Sequence, residues 1–249
     1  MIALITGAGS GIGKEIALYL SELGYELYIV GRNKDKLSSV KDSLRTKTNI
    51  IVCDLSDPSQ CYKLHDSLKN IEINVLINNA GFGVFGDFST TSLEDELKMI
   101  DVNIKAVHIL TKLFLNDFKK RKTGFIMNVS SSAGFMMGPL FSSYYASKSY
   151  VLRLTQAIHR ELIEEKSAVR ISALCPGPVK TDFDKVAGVN TSLKGLDSKF
   201  VAKYAVDKML KGKTLIIPGF TMKLSVVFSK FVPWKLLSKI TYLCQKKKK

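Results

Sequence analysis

Residues 2–30, IALITGAGSGIGKEIALYLSELGYELYIV, decide the fold. Residues 2–6 are a short apolar run of the kind that forms a buried strand. The glycines of GAGSGIG follow at once. In KEIALYLSELG the apolar Ile16, Leu20 and Leu23 recur at helical spacing, and Gly24 stops the helix. Residues 25–30, YELYIV, read as a second strand. This order sets a helix N-terminus at the end of a strand. There the glycines let the backbone approach a ligand, and the free N–H groups and helix dipole favour an anion such as phosphate.

The second strand ends at Gly31-Arg32-Asn33. An acid in this place would accept from a ribose 2′-hydroxyl and repel a 2′-phosphate. Arg32 does the opposite, so the sequence favours NADP(H) over NAD(H). Onward, strands and helices alternate. A helix is expected over 34–45 and a strand over 49–53, leading to Asp54-Leu55. Ser56 or Asp57 caps a helix that runs to 68. A strand over 74–77 ends in Asn78-Asn79-Ala80-Gly81, small residues that let a flat ligand approach. A loop with Phe82 and Phe85 and a long helix over 92–119 follow. Next come a strand over 124–132, a helix to 166, a strand over 169–175, a helix over 200–210 and a strand over 214–218. Pro176-Gly177-Pro178 ends the sixth strand sharply, and residues 182–198 read as a mobile lid. The alternation predicts an α/β fold: a doubly wound parallel sheet of about seven strands with helices on both faces.

Within the helix after the fifth strand, SSYYASK places Tyr144 and Lys148 four residues apart, on one helix face. A cation beside a phenol favours the phenolate, which is how a group of ordinary pKa about 10 serves as an acid/base near neutrality. Tyr and Lys are common residues, so the pair alone carries little. Asn103, mid-helix, is either solvent-facing or specifically bonded, and its spacing does not decide which. Serine hydrolysis is disfavoured: there is no GxSxG, and His65, His108 and His159 all fall in helix-like segments. The four cysteines lack metal-ligand spacing and read as reduced thiols. Met1 is followed by a strand and glycine turn rather than a secretory leader, so the expected location is cytoplasmic. The net charge is +15, but residues 199–249 hold 13 lysines against the single acid Asp207, or +12 of it. That concentration argues against a nucleic-acid surface on the domain itself.

Taken together and in order, these motifs resemble the short-chain dehydrogenase/reductase family over residues 1–218. The matching stretches are TGAGSGIG at 6–13, Asp54-Leu55, NNAG at 78–81, Asn103, NVSSSAG at 128–134, Tyr144 with Lys148, and PGPVKT at 176–181. The resemblance implies NAD(P)-dependent carbonyl reduction or alcohol oxidation, an activity of the EC 1.1.1 class, in a homodimer or homotetramer. It implies Tyr144 as proton donor and acceptor. Lys148 would lower the tyrosine's pKa and bind the nicotinamide ribose. Ser131, in preference to Ser130 or Ser132, would bond the substrate oxygen, and Asn103 would hold a relay water. For the cofactor it implies the turn residues Gly7, Ser10, Gly11, Ile12 and Gly13 at the pyrophosphate. Asp54 and Leu55 would sit at the adenine, and Asn79, Ala80 and Gly81 on the nicotinamide side. Pro176, Gly177, Val179 and Thr181 would hold the carboxamide. Phe82, Phe85, Phe135, Met136 and Met137 are expected near an apolar or acyl-type substrate.

The ending looks most like the DltE-like bacterial subgroup of that family. Residues 220–249 are expected to be a helical extension, with a lysine tail, of a catalytic domain spanning 1–219. Pro233 breaks the segment. Beyond it Leu236, Leu237, Ile240 and Leu243 share one face, with Lys235, Lys239 and Tyr242 opposite. This face could dock on the chain's own core or a partner subunit, lie on a membrane, or cover an apolar substrate. A second functional class also stays open: a non-catalytic dinucleotide-binding sensor or scaffold that contacts a membrane or partner through this segment.

Overall fold

The computed structural model describes residues 1–183, 187–189 and 195–247. Much of the expected lid, residues 184–186 and 190–194, lies outside the described residues, as do Lys248 and Lys249. Seven strands form one parallel sheet: β1 (Ile2–Thr6), β2 (Glu26–Gly31), β3 (Thr48–Val52), β4 (Ile73–Asn78), β5 (Phe125–Val129), β6 (Arg170–Leu174) and β7 (Leu215–Ile216). The order across the sheet is β3-β2-β1-β4-β5-β6-β7. It reverses direction between β1 and β4, and ligands bind at such a switch point, outside the strand C-termini.

Alternation along the strands builds two cores. Ala3 and Ile5 of β1, Leu27 and Ile29 of β2, and Val75 and Ile77 of β4 face one side of the sheet. There they meet Ile16 and Leu20 of α1 (Gly11–Glu22) and Ala202, Ala205 and Met209 of α7 (Ser198–Leu210). Leu4, Val30 and Leu76 face the other side, against Leu64 of α3 (Pro58–Ser67) and Leu110, Phe114 and Phe118 of α5 (Val107–Arg121). Burial on both faces explains why the strands read as nearly continuous apolar runs. Asn33 caps α2 (Lys34–Asp42) by accepting from the Lys36 N–H, and Asp57 caps α3 through the Ser59 N–H with Pro58 at the first position.

The expected helix over 92–119 is one continuous rod with a change of winding. It comprises α4 (Leu93–Ile100), a π-helical turn (Asp101–Ala106) and α5. The wider turn carries Asn103 inward to complete burial. After β5, a short 3-10 turn (Ser132–Phe135) leads to α6 (Ser142–Glu164).

The C-terminal segment forms α8 (Phe220–Ser229) and α9 (Trp234–Lys246), separated at Pro233. Its packing corrects the expected apolar face. The side of α9 against the body carries Leu237, Thr241 and Gln245, whereas Leu236, Ile240 and Leu243 are exposed. From α8, Val226 packs with Leu152, Ala173, Cys175 and Ile217. Among the described residues no helix is long and apolar enough to cross a membrane.

Candidate active site

The C-terminal ends of β1, β2, β3 and β4 open into a cavity of about 470 Å³. Its floor is the glycine turn after β1. Gly7 (φ +65°) and Gly11 (φ +54°) both take the left-handed conformation that glycine adopts freely. A side chain on Gly7 would come within 2.8 Å of the Ala80 Cα, and one on Gly11 within 3.2 Å of Thr181. These approaches leave little room for a Cβ at either position. Asn79 fixes the turn: its side-chain amide donates to the carbonyls of Thr6 (3.0 Å) and Gly7 (3.1 Å). The Thr6 hydroxyl accepts from the N–H groups of Asn79 and Ala80. Ser10 caps α1 without spending its hydroxyl on the helix and lines the cavity beside Ile12. Gly13 does not line it. A Cβ there would strike the Gly7 carbonyl and the Asn79 amide, so Gly13 lets α1 pack under the turn rather than admitting a ligand.

At the β2 end, Arg32 is exposed at the cavity edge beside Asn33 and Lys36. Lys36 escaped the sequence reading. Its signal was position, a cation in the first turn of the helix that follows β2. Asp54 and Leu55 line the same end. Burial pushes the Asp54 carboxyl up, but hydrogen bonds from the Ser56 N–H and hydroxyl, with Arg32 nearby, outweigh it and hold the carboxyl below its usual range.

At the far end, α6 presents Tyr144 and Lys148 to the cavity, as the four-residue spacing predicts. Lys148 is buried, with Nζ donating to the Val129 carbonyl at 3.0 Å and lying 5.7 Å from the centre of the Tyr144 ring. Burial pushes its ammonium down to about 8, with a small opposing effect from Cys175. Ser131 caps the 3-10 turn, accepting from the Ala133 N–H at 3.1 Å. Its contact with the Pro176 carbonyl, at 3.5 Å, is weak, which leaves the hydroxyl hydrogen available to a ligand. Ser130 is different: its buried hydroxyl donates to the Lys148 carbonyl at 2.7 Å and so clamps β5 to α6. Ala80, Gly81, Pro176, Gly177, Val179 and Thr181 close the wall between the two ends.

Asn103 stands behind this wall. Its amide donates to the Phe82 carbonyl (2.8 Å) and the Ser147 hydroxyl (3.1 Å), and its oxygen accepts from the Phe82 N–H (3.1 Å). Ser147 in turn donates to the Tyr144 carbonyl. Asn103 therefore joins the strand-end segment at residue 82 to the helix that carries Tyr144. Glu96 is a second tie that the sequence reading missed, accepting from the hydroxyls of Thr91 (2.5 Å) and Ser143 (2.6 Å). Deeper, Asn78, Thr111, Asn128 and Thr155 form a buried polar chain across β4, β5, α5 and α6.

The substrate-side lining departs from expectation. Phe82 lines the cavity, and Phe85 packs on Phe141 at 5.6 Å between ring centres. Phe135, Met136 and Met137 do not line it, and Phe135 instead packs among Leu152, Ile217 and Val226. Phe141, Tyr145, Phe183, Val189 and Gln245 take their place. Leu140, at φ +65°, turns the chain just before Phe141. Gln245 reaches in from α9 and donates to the Tyr145 hydroxyl at 2.5 Å. None of the three histidines lines the cavity: His65 meets Asp117, His108 meets Tyr150, and His159 meets Thr214.

Residues 1–190 match the family described as short chain dehydrogenase. The chain belongs to this family. Members that resemble this short-chain dehydrogenase in sequence include the 3-oxoacyl-(acyl-carrier-protein) reductase of Rickettsia prowazekii, 34% identical over 183 residues, 73% of each chain. An uncharacterized oxidoreductase of Staphylococcus aureus is 32% identical over 225 residues, 89% of this chain and 96% of that one. Among solved structures, a short-chain dehydrogenase from Sphingobium yanoikuyae in complex with NADPH superposes with a TM-score of 0.83 at 26% identity, over 92% of this chain and 93% of that one. A family member from Burkholderia phymatum in complex with NAD gives 0.83 at 26% identity, over 91% of each chain. The protein is an oxidoreductase of this family, built on its seven-stranded nucleotide-binding sheet.

Proposed function

We propose that this short-chain dehydrogenase is an NADPH-preferring reductase of an apolar or acyl-type ketone or aldehyde, running in reverse on the alcohol. The observation that carries the reading is the convergence of Ser131, Tyr144 and Lys148 on one end of a cavity whose other end is the bare glycine turn. The residues present fit a dinucleotide: a Cβ-free floor, a helix N-terminus and two cations, Arg32 and Lys36, where a 2′-phosphate would be held. When bound, the nicotinamide supplies the hydride.

The chain's own part is proton and charge handling. Tyr144 donates its phenolic proton to the substrate oxygen as negative charge develops there. Lys148, charged below about pH 8, stabilises the phenolate left behind. Ser131 donates to the same substrate oxygen. Asn103 acts as a positioning residue through Phe82 and Ser147. Phe141, Phe183 and Val189 exclude water and favour an apolar substituent. Residues 220–249 belong to the catalytic domain in this reading, since Gln245 is part of the cavity wall. A homodimer or homotetramer, a cytoplasmic location, and peripheral membrane contact through the basic C-terminal segment complete the proposal.

Steady-state rates on a panel of short and long ketones and aldehydes, with NADPH and with NADH, test it. Turnover with NADPH at higher kcat/KM than with NADH is expected. Equal or better use of NADH would remove the cofactor claim. Cofactor binding without turnover of any carbonyl would return the chain to the sensor or scaffold class.

A further inference from the structure

α8 and α9 are two-sided. Their inner residues, Val226 on α8 and Leu237, Thr241 and Gln245 on α9, are buried against the body. The outer face is apolar and aromatic. Phe228, Phe231, Trp234, Leu236, Ile240 and Leu243 all stand in solvent, with Phe231 80% and Trp234 65% exposed. A patch of this kind normally marks an interaction site. The charge within the segment is of one sign. Residues 220–249 contain eight lysines and no acid. Among the described residues no ion pair involves Lys223, Lys230, Lys235 or Lys239.

The charge selects the occupant. A second copy on a two-fold axis would set this basic face against itself. An anionic lipid surface neutralises it instead, and long lysine stems can keep their ammonium groups at the headgroups while the rings go deeper. Neither helix can span a bilayer, so they lie along it. We propose that the outer face of α8 and α9 seats on an anionic bilayer, with Phe228, Phe231 and Trp234 at the boundary between headgroups and acyl chains. The reverse side of α9 carries Gln245 in the cavity wall, so a seated molecule holds its substrate cavity next to the lipid that dissolves an apolar carbonyl compound. The proposal rests on reading the C-terminal segment as a membrane contact and does not require the reaction.

Trp234 is the only tryptophan in the chain, so its emission reports on this face directly. The full-length protein is mixed with vesicles of phosphatidylcholine alone, or of equimolar phosphatidylcholine and phosphatidylglycerol. Co-sedimentation is followed together with Trp234 emission and acrylamide quenching. With the anionic vesicles, a blue shift, protection from acrylamide and partitioning at least about tenfold stronger than on neutral vesicles are expected, weakening as salt rises. The double variant Phe228→Ser, Phe231→Ser, altered only at exposed positions, should bind NADPH as the wild type does and lose about tenfold or more in partitioning. Binding to neither vesicle would defeat the membrane reading as a whole. Equal binding to both vesicles, or undiminished binding by the double variant, would overturn the assignment of face and lipid while leaving membrane contact standing. A lipid-free, concentration-dependent blue shift with dimer mass in ultracentrifugation would give the face to a second copy and overturn the proposal.

Discussion

The two ends of the cavity are made in different ways. The cofactor end is mostly backbone, brought together by the C-termini of adjacent parallel strands. It is shaped by what is missing, the side chains of Gly7 and Gly11, and by Asn79 and Thr6, which lock β1 to β4. The substrate end is mostly side chain, gathered from residues 82, 141, 145, 183, 189 and 245 on segments far apart in the chain. The first end is built on strand ends that pair across the sheet. The second includes a contribution from α9, whose Gln245 donates to the Tyr145 hydroxyl. Lys148 and Ser131 belong to the same end as Tyr144, opposite the glycine turn.

Changes at these two residues should cost most. Lys148→Met removes the cation beside Tyr144 and is expected to lower kcat/KM by about 10³-fold or more. The effect on stability should be opposite or small. The Lys148 ammonium has a folded value of about 8, below its ordinary 10.5. The unfolded chain therefore binds the proton more tightly. The penalty is fully present below about pH 8 and is relieved as pH rises from 8 towards 10.5. Its removal is worth roughly 3 kcal/mol, offset by roughly 1–3 kcal/mol for the Val129 carbonyl left without its donor. Calorimetry of the cofactor-free variant at pH 7 should show a Tm equal to or a few degrees above wild type. The same value predicts that wild-type kcat/KM for reduction falls as pH rises through about 8, and a rate that is level to pH 10 would contradict this role for Lys148.

Ser131→Ala comes next, with an expected loss of about 10²-fold in kcat, while Ser130→Ala should show itself in stability instead. At the cofactor end, Arg32→Ala with Lys36→Ala should weaken NADPH by about 10–100-fold and leave NADH nearly unchanged, as titration of each cofactor would reveal. The smallest effect belongs to the substrate wall. Gln245→Leu should alter the ranking of long against short carbonyl compounds with less than about threefold change in kcat on the smallest, a comparison that steady-state kinetics makes directly.

The same division explains what could be read in advance. The turn at residues 7–13, the NNAG segment and the Tyr144–Lys148 pair are local, so their spacing survives in the sequence. Arg32 was legible for the same reason, and Lys36 could have been. The alternation of strands and helices carried the sheet, because burial on both faces leaves continuous apolar runs. The substrate wall was illegible: Phe135 and Phe141 look alike in the sequence, and only the turn at Leu140 and the packing of Val226 separate them. Which side of α9 meets the body was not legible, since most of its apolar stripe points to solvent while Leu237, Thr241 and Gln245 point inward. Gln245 lies a hundred residues from Tyr145, and no local pattern joins them.

In the proposed reaction one particular phenol is the proton donor. Tyr144 and its neighbour Tyr145 both line the cavity, but only Tyr144 has a lysine four residues on, and the Lys148 Nζ lies 5.7 Å from the centre of its ring. Tyr144→Phe and Tyr145→Phe should be compared for NADPH affinity and for kcat on a carbonyl that the wild type reduces. The expected result is cofactor binding within about threefold of wild type in both, a kcat loss of about 10²–10⁴-fold in Tyr144→Phe, and little loss in Tyr145→Phe. Comparable activity in the two variants, or a larger loss in Tyr145→Phe, would contradict the account.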